Sequence, residues 1–235
     1  MKNATNCLLI FFVFLIATGC AHTSVLTRDG ETFEKDAENR ILLMPPDIEL
    51  YEMTMGGMLE PKADWTASAL KNVAEAVKQE LKVHHDTVIS YKEPDDGSDE
   101  FKVHQQLIKL HEVVGASIIK HQYPTAWQLP TKEDNFEWTL GQKTTRLKEK
   151  YRAQYGLFIY MRDSYASAGR VGLMIGMAVL GVGIPLGQQV GFASLVDLKT
   201  GDIVWFNRLF SESGDLRELD LARDSVQNLL DDFPL

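Results

Sequence analysis

Residues Tyr155 to Asp163 have the sequence YGLFIYMRD, which is apolar on both faces of an extended chain until its last two positions. A strand with two apolar faces belongs in the middle of a sheet that is covered on both sides. Two more strands are predicted downstream, at Gln189–Leu198 and Ile203–Phe210. Gly201 lies in the turn between them and can take the positive φ that a tight hairpin needs. These residues therefore predict a central strand beside an antiparallel hairpin.

Strands and helices alternate on both sides of this stretch. The pattern predicts short strands at Arg40–Met44 and Asp86–Lys92, with Asp47–Met53 as an edge segment. Apolar residues three and four apart predict helices at Asp64–Val83, Glu100–Gln122 and Thr139–Ala153, and a last helix from about Asp215. The predicted buried stripes of the first two helices are Leu70, Val73, Val77 and Leu81, and Val103, Leu107, Leu110, Val114 and Ile118. This order is typical of an α/β fold. We expect one sandwich over residues 40–235, with a mixed sheet, helices packed on it, and a C-terminal β-hairpin followed by a helix.

The acidic composition of the chain limits the classes of molecule that it is expected to bind. The chain has 235 residues, with 24 Lys and Arg against 33 Asp and Glu, for a net charge of −9. Nucleic-acid affinity depends on cations that neutralise phosphates, and an acidic chain without a basic stripe lacks them. The same deficit argues against electrostatic attraction to anionic lipids. We therefore expect neither nucleic acid nor an anionic surface as partner.

The first twenty residues form a unit of their own. Lys2 is the only charge, Leu8 to Ala17 is an unbroken apolar run, and small residues precede Cys20. This pattern is typical of a secretory signal, and ten apolar residues are too few for a bilayer, which needs about 20. We predict a signal peptide at residues 1–19. Residues 20–39 are polar and are predicted to be a flexible tether.

The Ala17-Thr18-Gly19-Cys20 segment resembles the lipobox of bacterial lipoproteins. The resemblance implies cleavage before Cys20 and acylation of that residue, so that the membrane is bound through an amino-terminal lipid with palmitate-like chains. Ala21 follows, where an Asp would signal inner-membrane retention. The resemblance thus implies the periplasmic face of the outer membrane. The alternative is an ordinary secreted protein. Since Cys7 lies in the signal, an acylated mature chain has no free thiol.

A second segment without charge lies between Arg170 and Asp197. Three interpretations remain open: a helix or hairpin buried in the domain, an exposed surface for self-association or a partner, or insertion into a membrane. We favour burial or an interface. The candidate interface residues are Val171, Leu173, Met174, Ile175, Met177, Val179 and Leu180.

No catalytic motif emerges from the sequence. Ser164 and Ser167 lie near Asp163, but no His is close in sequence and no Gly-x-Ser-x-Gly elbow occurs. His104 and His111 lie seven residues apart on one helix and are expected to be solvated or half-buried rather than metal ligands. Asp163 is the best candidate for a carboxyl with a perturbed pKa, although a turn residue that bonds the backbone is the preferred interpretation. We predict no metal, no cofactor and no enzyme, with a hydrolase assembled from distant residues as the alternative.

The element order, the lipobox and the segment Ser194 to Trp205, which contains Asp197-Leu-Lys-Thr-Gly201, together resemble a group of periplasmic lipoproteins. The group includes the curli-secretion lipoprotein CsgG, the penicillin-binding-protein activator LpoB and the amino-terminal domain of TolB. Some members carry close versions of Arg162-Asp-Ser-Tyr-Ala166. The resemblance implies a non-enzymatic module that binds proteins or assembles the envelope. The alternative is a subunit of an oligomeric export or pore complex like CsgG.

Overall fold

A computed structural model describes residues 21–30, 33, 39–83, 87–132 and 135–235. These residues form a mixed sheet with helices on both faces, which confirms the predicted α/β sandwich. The sheet contains eight strands: β1 His22–Thr27, β2 Arg40–Leu43, β3 Asp47–Met53, β4 Leu59–Pro61, β5 Thr87–Ser90, β6 Tyr155–Ala166, β7 Gly187–Asp197 and β8 Ile203–Ser211. The helices are α1 Ala63–Val83, α2 Asp99–Gln122, α3 Thr145–Tyr151, α4 Ala168–Ala178 and α5 Leu219–Leu229.

Strand β6 organises the sheet, as its two apolar faces predict. It pairs along its whole length with antiparallel β7, which continues through the predicted hairpin to β8 and then to β1 at the edge. On its other side, the first residues of β6 pair with parallel β2, and its later residues pair with parallel β3. The strand order is β1-β8-β7-β6-β2-β5, and β4 joins through β3.

Helices cover both faces of the sheet and divide the core into two clusters. On one face, α1 and α5 pack through residues such as Val73, Val77 and Val226 against Leu195 and Trp205 of the sheet. On the other face, α2 and α3 cover the aromatic side chains Phe158, Phe192 and Phe206. The apolar stripe of α1 is confirmed at Val73, Val77 and Leu81, whereas Leu70 lies at its exposed margin.

Helix α2 packs closely on the sheet because its inward face includes Gly115. A Cβ atom at Gly115 would lie 2.0 Å from the ring of Phe192, so only glycine fits beneath that ring. Ser98 caps the helix by accepting a hydrogen bond from the amide of Phe101 at 3.0 Å. Leu110, predicted to be part of the buried stripe, is exposed, and His111 points inward instead.

The segment 139–153 is not the single helix that the sequence predicts. Thr139 forms an isolated bridge with Asp202, and Gly141 takes a φ of 75°, which interrupts a helix. A short 3₁₀ turn follows at Gln142–Thr144 and leads into α3. The prediction was wrong because apolar spacing continued across a glycine whose backbone is not helical.

Strand β1 corrects the predicted tether. Residues 22–27 belong to the sheet and pair with β8 over their full length, from His22 opposite Phe210 to Thr27 opposite Trp205. The segment was missed because it is polar and forms an edge strand with only partly buried side chains. Cys20 and the predicted signal at 1–19 lie outside the described residues. The signal and the remaining domain boundaries therefore stay predictions.

Candidate functional site

The uncharged segment after Arg170 forms α4 and a loop that returns to β7. Ser167 caps α4 by accepting a hydrogen bond from the amide of Arg170 at 3.3 Å. The helix ends at Ala178, and Gly181 takes a φ of 75° in the loop beyond. The outward side chains are well exposed, at 60% for Ile175, 84% for Val179 and 72% for Leu180.

The turn between β3 and β4 extends this surface. Met55 and Met58 are exposed there, and the turn is closed by hydrogen bonds between Thr54 and Met58. The turn lies against the start of α4, since the amide of Ser167 donates to the carbonyl of Met53 at 2.9 Å and Cα of Gly169 faces Met55. We name this combined surface the apolar crest. Its exposed members are Met55, Met58, Leu59, Leu173, Ile175, Val179, Leu180, Val182 and Leu186.

Arg170, at the start of α4, contacts both the loop after α4 and the β3–β4 turn. Its side chain is buried, its Nε donates to the carbonyl of Pro185 at 2.8 Å, and its guanidinium lies beside Gly57 of the turn. One cation thus holds the hairpin turn, the start of α4 and the end of the loop in place. The crest itself carries no charge between Val171 and Leu186.

The exposure of the crest excludes one of the three interpretations of this segment. The residues from 171 to 186 are all described, and none of their apolar side chains belongs to either core cluster. Burial in the domain, one of the favoured interpretations, is therefore wrong. Of the seven candidate interface residues, Leu173, Ile175, Val179 and Leu180 are exposed, and Val171, Met174 and Met177 are partly exposed.

A buried polar cluster lies directly beneath the crest. Asp163 is buried within β6, because the strand continues to Ala166, so the preferred interpretation as a turn residue is wrong. The hydroxyl of Tyr165 donates to Asp163 Oδ2 at 2.5 Å, and Nε2 of Gln189 donates to the same oxygen at 2.8 Å. Burial raises the pKa of Asp163 to about 6 in spite of these hydrogen bonds. The perturbed pKa expected for Asp163 is thus present.

An ion pair closes the other side of this cluster. Arg217 binds Asp215 with Nη2 to Oδ2 at 2.6 Å, and its guanidinium stacks on the rings of Tyr165 and Trp65 at 3.9 and 4.5 Å. Tyr165 also accepts a hydrogen bond from the amide of Leu216 at 2.8 Å. Burial raises the pKa of Asp215, but its hydrogen bonds with Arg217 dominate and leave the pKa below its usual value. These contacts hold the Tyr165 ring in place.

A cavity of about 270 Å³ opens between this cluster and the crest. Its wall includes Asp163, Ser164, Tyr165 and Gln189, together with Val171 and Leu186 of the crest. Ser164 is engaged with the backbone of Gln188, which donates to its Oγ at 3.1 Å, and Ser167 serves as the cap of α4. No histidine is among the described residues that line the cavity. The groups present can accept and donate hydrogen bonds, but they do not form a serine–histidine pair.

The two histidines of α2 are neither solvated nor half-buried, contrary to the expectation. Both are buried, and they serve separate contacts: His111 Nε2 lies 2.9 Å from Ser194 Oγ, and His104 Nδ1 lies 3.0 Å from the Tyr91 hydroxyl. Burial lowers the pKa of His111 to about 3, which keeps the ring neutral. Within the described part of the chain, no group of three His, Cys, Asp or Glu residues is placed to hold a metal ion.

Helix lengths also bear on the membrane question. Among the described residues, no helix is both long and apolar enough to cross a bilayer. Helix α4 has 11 residues, well short of the length of about 20 that spanning requires.

Comparisons with known proteins give remote likenesses. No protein-family model matches the chain, and no curated protein matches it. Among solved structures, a PelC dodecamer from Paraburkholderia phytofirmans is 10% identical, covers 90% of this chain and 95% of its own, and has a TM-score of 0.40. The LpoB C-terminal domain from Salmonella enterica is 16% identical, covers 78% of this chain and 86% of its own, and has a TM-score of 0.28. At these scores the likenesses establish neither a family nor a function.

Proposed function

We propose that this protein is a lipoprotein anchored through Cys20 to the periplasmic face of the outer membrane, where it acts by binding envelope components and not by catalysis. Its contact surface is the apolar crest, including the seven candidate residues Val171, Leu173, Met174, Ile175, Met177, Val179 and Leu180. The lipobox at 17–20 supports the anchor, and the crest supports the binding role.

The exposure of the crest is the observation that carries this proposal. Soluble monomers rarely expose a contiguous apolar patch of this kind, because each Å² of apolar surface left in water costs about 25 cal/mol. The segment from Val171 to Leu186 contains no charged residue that would make this surface compatible with water. A surface of this chemistry requires a cover from outside the domain.

The anchor is tested by replacing Cys20 with Ser. We expect the variant to leave the outer-membrane fraction and to appear unprocessed or soluble, because the acceptor thiol is missing. The matched control is Cys7→Ser, which makes the same change inside the predicted signal and should fractionate like the native chain. Unchanged fractionation of Cys20→Ser would refute acylation.

A second candidate role is a subunit of an oligomeric export complex. Gly172 and Gly176 lie one helical turn apart on α4, and apart from the backbone of α4 and the adjacent residues no described atom lies within 4 Å of where their Cβ atoms would be. This open strip allows a second helix to approach closely. The mass of the full chain extracted in mild detergent separates the candidates: a ring of many copies supports the export role, and a single copy with an unrelated envelope protein supports the binding role.

The binding role itself is tested by cross-linking in intact envelopes. We expect the native chain to give products larger than the mature chain itself, because a binding module has a neighbour. A chain that stays single in envelopes and in mild detergent would contradict both the binding role and the export role.

A further inference from the structure

The place where the chain enters the sheet limits how far the domain can stand from its anchor. Strand β1 begins at His22, two residues after Cys20. Even a fully extended chain covers only about 3.3–3.6 Å per residue, so the start of β1 lies within about 7 Å of the acylated residue. A predicted tether of twenty residues would have allowed the domain to move away, whereas strand pairing at residue 22 does not.

The strand register shows which end of the sheet faces the anchor. His22 lies opposite Phe210, Phe210 opposite Val190, and Val190 opposite Arg162. These four residues lie side by side across the sheet. Strand β1 therefore begins at the end of the sheet where β6 finishes at Ala166 and β7 begins at Gly187. Helix α4, its loop and the β3–β4 turn all lie beyond that end. The anchor and the apolar crest therefore share one end of the sheet.

The crest projects past the end of the sheet, and the anchor lies within a short reach of that end. Ala166 lies four residues beyond Arg162 along β6, which is about 13 Å at 3.3 Å per residue, and α4 follows it. The chain between His22 and Cys20 covers at most about 7 Å, so an acylated Cys20 keeps the start of β1 close to the leaflet. Interfacial segments bury their apolar faces about 5–10 Å into a membrane, which is a depth that one face of a helix supplies.

The apolar side chains of the crest fit the acyl-chain region of a membrane better than its headgroup region or water. Its tip presents Ile175, Val179 and Leu180, and the cation at its base, Arg170, is buried. Two further charges lie near the base: Lys62 is paired with Glu52 and Glu60, and Glu212 lines the cavity beneath the crest. The nearest acid on the hairpin, Glu60, pairs with Glu52 on β3, opposite Tyr165 of β6, so it lies at the base of the crest. Removal of Lys2 with the signal would change the net charge from −9 to −10, so attraction to anionic lipid cannot supply this contact.

From this arrangement we infer that the apolar crest inserts into the acyl-chain region of the leaflet that carries the anchor. The domain is then oriented with the crest end of the sheet toward the membrane. The inference rests on the proposed acylation of Cys20 and specifies what covers the crest.

Single-cysteine labelling tests this orientation, because an acylated mature chain has no other reactive thiol. A bimane label is placed at Val179→Cys in the full acylated chain and reconstituted into vesicles of phosphatidylethanolamine and phosphatidylglycerol. Two controls are Val113→Cys, an exposed valine on α2, and Lys199→Cys, in the turn at the opposite end of the sheet. We expect lipids with brominated acyl chains to quench the Val179 label at least threefold more than either control, and aqueous iodide to show the reverse order.

Each outcome of this experiment has a defined meaning. A Val179 label as open to iodide as the Lys199 label, in a sample whose mass shows acylated Cys20, would overturn the inference and leave the anchor intact. Protection of Val179 only in native envelopes, and not in vesicles, would overturn it in favour of a protein cover. A mass that shows bare Cys20 would overturn the anchor, and with it the premise. Leu180→Cys serves as a second crest position if Val179→Cys does not fold.

Discussion

The β7–β8 hairpin and the apolar crest are neighbouring regions that are both rich in apolar residues, but the hairpin is buried and the crest is exposed. The hairpin buries Leu195, Trp205 and Phe206 completely between helices on both faces of the sheet. The crest begins directly before β7, yet Ile175 and Val179 are exposed to solvent. Apolar content therefore does not decide burial. Position does, because the hairpin lies within the reach of α1, α2 and α5, and the crest lies beyond the end of the sheet.

This difference separates side chains that stabilise the fold from side chains available for contact. Removing a buried side chain loses packing that cannot be replaced, whereas an exposed one has little packing to lose. The two regions can thus be told apart by how unfolding responds to substitution, and the polar cluster at Asp163 marks the boundary between them.

The largest effect is expected in the hairpin. Replacing Trp205 with Ala should lower the free energy of unfolding by about 3–5 kcal/mol, because the ring is fully buried and meets Phe233 edge to face at 5.2 Å. The change also removes the hydrogen bond from Nε1 to the carbonyl of Asp232 at 3.1 Å. Urea unfolding followed by circular dichroism measures the loss. A change within error would show that the hairpin does not form the core.

An intermediate effect is expected at the boundary, and it depends on pH. Burial raises the pKa of Asp163 from 3.8 to about 6, so the folded state holds this proton more tightly than the unfolded chain does. The stabilisation is complete below about pH 4 and is lost as the pH rises through 6, with a total of up to about 3 kcal/mol. His111, with its pKa lowered to about 3, acts in the opposite direction over the same range.

The Asp163→Asn variant isolates this effect, since the contribution of His111 is common to both chains and cancels. We expect the stability of Asp163→Asn relative to the native chain to increase between pH 4 and pH 7. Paired urea titrations at several pH values measure the difference. A difference that does not change with pH would mean that Asp163 titrates normally and is not buried beneath the crest.

The smallest effect on folding is expected in the crest. Replacing Ile175, Val179 and Leu180 together with Ser should change the free energy of unfolding of the detergent-extracted chain by less than about 0.5 kcal/mol per site, because these side chains are exposed. Association with vesicles should weaken in the same variant. A loss of stability comparable to that of Trp205→Ala would assign the crest to the core and end the distinction between the two regions.

Much of the fold was predictable because the sequence patterns that indicate its strands and helices are local. The two apolar faces of β6, the turn glycine at Gly201 and the helical spacing of Val73, Val77 and Leu81 were all confirmed. Strand β1 was not predictable, since its polar residues are ordered by pairing with β8, some 180 residues away. A long-range partner leaves no periodic trace in a short edge strand.

The candidate site was predictable only in part. The absence of charge after Arg170 marked the crest, but its exposure depends on where the sheet ends, which the segment itself does not encode. Asp163 was identified as a perturbed carboxyl, yet its partner Gln189 comes from β7, 26 residues later. The arrangement of the anchor and the crest at one end of the sheet follows only from the strand register.

The distance of each end of the domain from the bilayer tests this account most directly. Strand β6 has 12 residues and spans about 36 Å, so donors at Val179→Cys and Lys199→Cys lie at well separated heights. With acceptor-labelled lipids in the same vesicles, energy transfer should be strong from Val179 and much weaker from Lys199. Equal transfer from both positions, or stronger transfer from Lys199, would contradict the claim that the crest end of the sheet faces the membrane.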